Sequence, residues 1–156
     1  MRTLVCHCPC GSTRFNITAG PLFRFNCHCT ICQRFNRAAF GDVLVYRSAS
    51  VSAPPEGAVS FQSYKQLPPK VQRGKCSECG EPAIELLHLP LMPHLTIIPR
   101  NMLPDDASLP SVSFHGFYDK HVIEPADQAP RCTGFLRSQL AFMSHLIRSL
   151  WRGSRA

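Results

Sequence analysis

Eight of the nine cysteines in this 156-residue chain fall in three short clusters, and these constrain the fold more than any other feature. They are Cys6-His7-Cys8-Pro9-Cys10-Gly11, Cys27-His28-Cys29-Thr30-Ile31-Cys32 and Cys76-Ser77-Glu78-Cys79-Gly80. Tetrahedral zinc takes thiolates at about 2.3 Å, and C-x-C and C-x-x-C turns supply them in pairs. Gly11 and Gly80 directly follow their clusters, where a glycine permits the tight turn that brings backbone amides toward the sulfurs. Nine is an odd count, which argues against a fully paired disulfide framework. The start, Met1-Arg2, runs into Cys6 to Cys10 instead of an apolar leader, so no secretory signal is expected. A reducing, cytoplasmic setting is the expectation, and clustered thiols there serve metal binding or chemistry.

Pairing Cys8 and Cys10 with Cys76 and Cys79 would give a closed four-thiolate site, structural zinc by composition. Cys27, Cys29 and Cys32 would then have only Cys6 and Cys132 left to draw on. Three thiolates with an open position is the arrangement of a catalytic zinc, so two Zn²⁺ per chain are expected. Spacing alone leaves a second possibility, an ordinary zinc ribbon in which the metal is purely structural. His28 offers a fourth ligand to the second cluster, although the middle side chain of a C-x-C turn usually points away.

The remainder reads as mainly β. Hydrophobic residues make up 44 % and charged residues 17 %, which excludes a disordered chain, and fourteen prolines from Pro9 to Pro130 exclude long helices over most of it. Apolar positions recur every second residue in Arg14 to Thr18 and Phe23 to Cys27, with Gly20-Pro21 as the turn between them. Further strands are expected at Asp42 to Tyr46, Ala58 to Tyr64, Val71 to Lys75, Ala83 to Leu89, Leu95 to Ile98 and Val112 to Tyr118, with loops at Ala53 to Gly57 and Met102 to Pro110. Short strands punctuated by Pro and Gly suit a sheet sandwich or barrel. Thr30 to Asn36 is expected as a short helix with Thr30 as its N-cap.

The charge of +7 divides unevenly. Residues 1–127 carry 12 basic and 10 acidic residues, whereas 128–156 carry five arginines and no acid. Leu136, Leu140, Met143, Ile147 and Leu150 follow a three-and-four spacing, which is helical. The expected organisation is a zinc domain over 1–127 and a basic amphipathic helix over 128–156. That helix would serve self-association as a homodimer, a membrane surface, or cover for the domain's own apolar face. Arg137, Gln139, His145 and Arg148 interrupt its apolar run, so no transmembrane segment is expected. The body shows no basic stripe with interleaved aromatics, so nucleic acid is not the expected partner.

Cys8-Pro9-Cys10-Gly11-Ser12-Thr13-Arg14-Phe15, Cys27-His28-Cys29-Thr30-Ile31-Cys32 and Arg73-Gly74-Lys75-Cys76-Ser77-Glu78-Cys79-Gly80 resemble the three signatures of the glutathione-dependent formaldehyde-activating enzyme (GFA) and centromere protein V family. The resemblance covers roughly residues 3 to 125. It implies a mostly β, Mss4-like fold, a structural zinc on Cys8, Cys10, Cys76 and Cys79, and a catalytic zinc on Cys27, Cys29 and Cys32. The implied chemistry is that of a carbon–sulfur lyase or the reverse addition, with S-hydroxymethylglutathione formation from formaldehyde and glutathione as the named reaction. Two departures stand out. Gln33 to Ala39 intervenes where the family shows basic residues and a Gly. Ser113 stands where the family often has the His of a Pro-x-x-His element beginning here at Pro110, with His115 two residues on.

Sulfur bound to a thiolate-rich zinc suits thiol exchange better than water activation. Candidates for a general acid or base are His28, Tyr64 and His115. A glutathione-type thiol carries two carboxylates, for which Arg34, Arg37, Lys65 and Arg100 are candidate rim cations. Cys6 is either an alternate thiolate or a small buried residue. The competing class is a non-catalytic zinc-thiolate module that binds nucleic acid or a protein partner.

Overall fold

A computed structural model of the chain describes residues 3–64 and 70–153. Nine strands in two sheets dominate the described residues, joined by two α-helices and three single 3-10 turns. The expectation of a mainly β fold with a C-terminal helix is met. No described helix is long and apolar enough to cross a membrane. The chain forms two compact units, residues 1–21 with 45–108 and residues 22–44 with 109–156.

In the first unit, β1 (Leu4–His7) and β2 (Arg14–Ile17) form an antiparallel hairpin, with Leu4 opposite Ile17 and His7 opposite Arg14. The alternation that predicts β2 buries Phe15 and Ile17 and exposes Arg14 and Asn16. Four further strands follow as an antiparallel meander: β5 (Val59–Ser63), β6 (Val71–Cys76), β7 (Pro82–Leu87) and β8 (Leu95–Pro99). β8 is buried along its whole length, which suits its apolar residues, and its one polar side chain, Thr96, is satisfied by Ser48 Oγ at 2.9 Å. The register of β6 against β7 shifts between Gly74 and Lys75, immediately before Cys76. Such a bulge re-aims the strand end that carries the cysteine. β4 (Gly41–Arg47) is the strand along which the chain passes from the second unit into the first.

In the second unit, β3 (Phe23–Cys27) pairs in parallel with the short β9 (His115–Gly116), Asn26 opposite His115 and Cys27 opposite Gly116. Val112 to Tyr118 therefore contains a two-residue strand and not seven. Phe117 takes φ 53°, which turns the chain out of the sheet, and its N–H is met by Ser138 Oγ at 2.7 Å. Helix α1 (Thr30–Asn36) occupies the expected residues, but Thr30 is not its cap. Cys29 is, its Sγ accepting from the Cys32 N–H at 3.3 Å, and Thr30 falls one position inside. Helix α2 (Gly134–Gly153) lays Ser138, Phe142 and Leu146 against its own unit. Phe142 meets Phe23 and Phe25 edge-on, with ring centroids at 5.2 and 5.6 Å, and Ser149 Oγ donates to the Leu22 carbonyl at 2.8 Å. Its opposite side leaves Leu136, Leu140, Ile147 and Trp151 exposed.

Candidate metal centres

Two sulfur clusters stand out among the described residues, one within each unit. Cys8, Cys10, Cys76 and Cys79 bring their sulfurs within 4.8 Å of one another, and so do Cys27, Cys29 and Cys32. All nine cysteines are free thiols.

The first cluster joins two turns. Cys8 and Cys10 lie in the β1–β2 turn, where Cys8 N–H bonds the Thr13 carbonyl at 3.0 Å and Gly11 N–H the Cys8 carbonyl at 2.9 Å. Cys76 and Cys79 lie in the β6–β7 turn, closed by Gly80 N–H on the Cys76 carbonyl at 2.9 Å. Gly11 and Gly80 have φ of +77° and +71°, the left-handed conformation in which a side chain is strained. Thr13 N–H reaches Cys8 Sγ at 3.3 Å, and Thr13 Oγ1 donates to the Ala58 carbonyl at 2.9 Å, so one buried residue steadies both the sulfur and the chain beside it. Cys8 to Cys10 is 3.2 Å between sulfurs, while Cys76 is 3.6 Å from each of them. A tetrahedral zinc with 2.3 Å bonds would hold its sulfurs about 3.8 Å apart.

The donor set fits a soft divalent cation on electrostatic grounds as well. At Cys76 burial opposes ionisation, but backbone N–H groups of Cys79 and Glu78 and the Thr13 side chain outweigh it and bring the thiol down to about 6. Cys79 is pushed up to about 12 by burial and then by the Cys10 and Cys76 sulfurs. Four thiols this close cannot all ionise without a cation between them, and a divalent metal removes that conflict.

The second cluster sits on one strand-to-helix turn. Cys27 ends β3, Cys29 caps α1 and Cys32 lies one turn into the helix, so all three ligand candidates come from six consecutive residues. Cys27 and Cys32 are buried, and Cys29 is half-buried. The Cys27 and Cys29 sulfurs stand 3.5 Å apart, and that neighbour, with burial added, pushes the Cys27 thiol well above its ordinary value. No histidine, carboxylate or further cysteine completes this group among the described residues. Two buried polar atoms without partners flank Cys27, namely Asn26 Oδ1 and His28 Nδ1. Orphaned buried acceptors are rare and call for a donor. Three convergent sulfurs with no fourth protein ligand among the described residues suit a soft divalent metal with a position open to a further ligand.

His28 is fully buried beside Phe40 and Tyr118, and its Nε2 lies 3.0 Å from His115 Nδ1. Burial and then His115 draw its basicity down to about 4. His115, also fully buried, places its Nε2 2.9 Å from Asp127 Oδ1, and this contact holds the Asp127 carboxyl below its ordinary range. Two of the candidate acid–base residues are thus brought together. The third, Tyr64, belongs to the first unit, where Arg73 lies over its ring at 5.8 Å. Of the candidate rim cations, Arg34 lies in the last turn of α1 and Arg37 is its left-handed C-cap, both exposed. Arg100 belongs to the first unit and donates to the Leu103 carbonyl at 2.8 Å, and Lys65 lies outside the described residues. Cys6 is fully buried and its thiol is pushed up to about 12 by burial, the behaviour of a small core residue.

Asp127 was not singled out by sequence as a site residue. Its signal was positional only, as the last acid before the arginine-bearing segment.

A family model described as glutathione-dependent formaldehyde-activating enzyme matches residues 3–118, which include all three cysteine clusters and His115. No curated protein matches the chain.

Proposed function

The chain belongs to the glutathione-dependent formaldehyde-activating enzyme family, and from that premise we propose that it is a zinc-dependent carbon–sulfur lyase, or catalyses the reverse thiol addition, on a glutathione-type thiol adduct. The observation that carries this reading is the second cluster: three convergent sulfurs with no fourth protein ligand in the group among the described residues. Cys27, Cys29 and Cys32 would hold the catalytic Zn²⁺, and Cys8, Cys10, Cys76 and Cys79 a structural one. Zinc in the three-thiolate set supplies a soft Lewis acid suited to a sulfur ligand.

In the addition direction the thiol sulfur bonds to the carbonyl carbon of formaldehyde, and the S–H proton ends on the new hydroxyl oxygen. The cleavage direction reverses both. The protein's own residues bind and orient. Arg34, in the last turn of the helix that carries Cys32, and Arg37, its C-cap, are exposed cations that would meet the carboxylates of a glutathione-type thiol. The burial of Cys27, Cys32 and His28 keeps bulk water from the sulfur side of the site. Nine cysteines with seven gathered in two metal-type clusters also support a cytoplasmic, reducing setting. A second copy of this chain, meeting the exposed stripe of α2, is the proposed protein partner, because Leu136, Leu140, Met143, Ile147 and Leu150 repeat at the spacing of a paired-helix seam.

The test uses ¹³C-formaldehyde and glutathione, with exchange into S-hydroxymethylglutathione followed by NMR above the uncatalysed rate. The wild-type protein should accelerate exchange, and Cys29→Ser should lose that acceleration together with about one zinc per chain. Full activity in Cys29→Ser overturns the reading.

A further inference from the structure

We propose that His88 and His94 form a further cation site, a bis-imidazole pair that takes a borderline divalent transition metal of the Zn²⁺ and Ni²⁺ type. The pair shares no residue with either sulfur cluster and stands whether or not the carbon–sulfur reading holds. Its position follows from the register of the β7–β8 hairpin. Glu85 lies opposite Ile97, Leu86 opposite Thr96 and Leu87 opposite Leu95, so His88 and His94 are the next pair outward. Side chains directly opposite in an antiparallel ribbon have Cβ atoms about 4.5–5.5 Å apart. The two imidazoles accordingly face each other, with ring centroids 4.1 Å apart and planes at 28°.

The frame beneath the pair is fixed and the rings above it are free. β7 and β8, which lead into the two histidines, are buried except for a partly exposed Leu86. The His94 carbonyl accepts the Ser48 N–H at 2.9 Å. Between the histidines the chain turns back through Leu89-Pro90-Leu91-Met92-Pro93, with Met92 N–H on the Leu89 carbonyl at 3.3 Å and two prolines that fix their own φ. Both imidazoles are exposed, and among the described residues neither ring hydrogen-bonds or ion-pairs with a protein group. A cation with metal–nitrogen bonds of about 2.1 Å holds two neighbouring nitrogens about 3.0–3.4 Å apart. Rings stacked at 4.1 Å reach that spacing by a small rotation about χ2, which exposed side chains make without repacking. The donors select the ion: imidazole suits Zn²⁺, Ni²⁺ and Cu²⁺, whereas Mg²⁺ and Ca²⁺ take oxygen. With two neutral protein donors and water in the remaining positions, the pair binds more weakly than a thiolate set and loads after the sulfur clusters are full. His7 and His121, exposed as well, each place one ring nitrogen against a backbone carbonyl, at 3.2 and 2.6 Å.

The test titrates Ni²⁺ into the zinc-loaded full chain labelled with ¹⁵N-histidine, the sulfur clusters being filled beforehand so that the probe reports on nitrogen donors. Bound Ni²⁺ is paramagnetic and broadens the ring signals of its ligands. His88 and His94 should broaden together at substoichiometric Ni²⁺, ahead of His7 and His121, and saturate at one ion per chain. Excess Zn²⁺ should restore both signals, and excess Mg²⁺ should leave them broadened. Removing one arm of a chelate removes its intramolecular second step, so His88→Ala and His94→Ala should each weaken Ni²⁺ binding on the order of 100-fold, with the zinc content of the sulfur clusters unchanged. Both residues are exposed, so neither variant opens a core, and His88→Gln repeats the measurement with a polar side chain of similar reach. Earlier broadening of His7 or His121, a single-histidine variant that binds Ni²⁺ as tightly as the wild type, or displacement by Mg²⁺ but not by Zn²⁺ overturns the proposal.

Discussion

Replacing one sulfur in each cluster should separate a staple from a local site. In the first cluster Cys8 and Cys76 are 68 positions apart, so a metal there closes a long loop. In the second, Cys27 and Cys32 are five positions apart and already fixed by β3 and α1. Loop-closure entropy grows as three-halves RT times the logarithm of loop length, so the two crosslinks differ by about 2.3 kcal/mol in their restriction of the unfolded chain. For a chain of this size 1 kcal/mol moves the melting midpoint by roughly 2–4 °C, so Cys79→Ser should melt about 5–9 °C below Cys29→Ser. Zinc content by mass spectrometry should fall by about one per chain in each variant, in line with the four- and three-sulfur sets. Thermal unfolding of both variants in the same zinc-buffered solution makes the comparison. Equal midpoints after equal metal loss would refute the staple argument.

Acid sensitivity gives an independent check on α2. Burial and then Arg148 lower the basicity of His145, whose ring stacks on Phe114 at 5.3 Å, below its ordinary 6.5. A group depressed on folding contributes stability that is complete above its unfolded value and lost as pH falls through the folded one. Urea unfolding should therefore show the wild type losing stability below about pH 6.5 more steeply than His145→Phe, and parallel pH profiles would reject that assignment. For the proposed pairing of α2, Leu140→Glu with Ile147→Glu should convert a dimer to a monomer in sedimentation while zinc content stays unchanged. A wild-type protein that sediments as a monomer at high micromolar concentration excludes it.

Which features the sequence made legible follows from how local their causes are. β2 reads correctly because one face is buried and the other exposed, and β3 because its apolar residues alternate with polar ones even though Asn26 is buried as well. β1 escaped notice because Cys6 and His7 looked like part of a ligand turn, while Cys6 is in fact the buried residue of a hairpin strand. Val112 to Tyr118 read as a full strand because its apolar residues continue. The left-handed turn at Phe117, bonded to Ser138 on a distant helix, leaves no trace in the segment itself. Thr30 has the chemistry of an N-cap, but a thiol one residue earlier takes that position, and propensity scales do not weigh cysteine as a cap. The sulfur groups were accessible to spacing because their ligand type is rare and their turns are short.

Asp127 shows where such reading stops. It lies twelve positions from His115, which lies 87 from His28, so no motif window holds the three together. The parallel pairing of β3 with β9 sets Asn26 opposite His115, and Asp127 is held at His115 by a segment that Arg131, the Ala129 N–H and the Tyr118–Glu124 bond fix together. The two sulfur clusters share one ligand chemistry and differ in this respect. The four-sulfur group draws on turns 68 positions apart, where any change of ligand disturbs the closure of the unit. The three-sulfur group draws on a single turn, and the His28 between two of its sulfurs meets His115 and, through it, Asp127 from distant parts of the chain. Under the proposed function, ligands at the local site exchange without unfolding the strands that carry them, which is what turnover at a thiolate-bound metal requires.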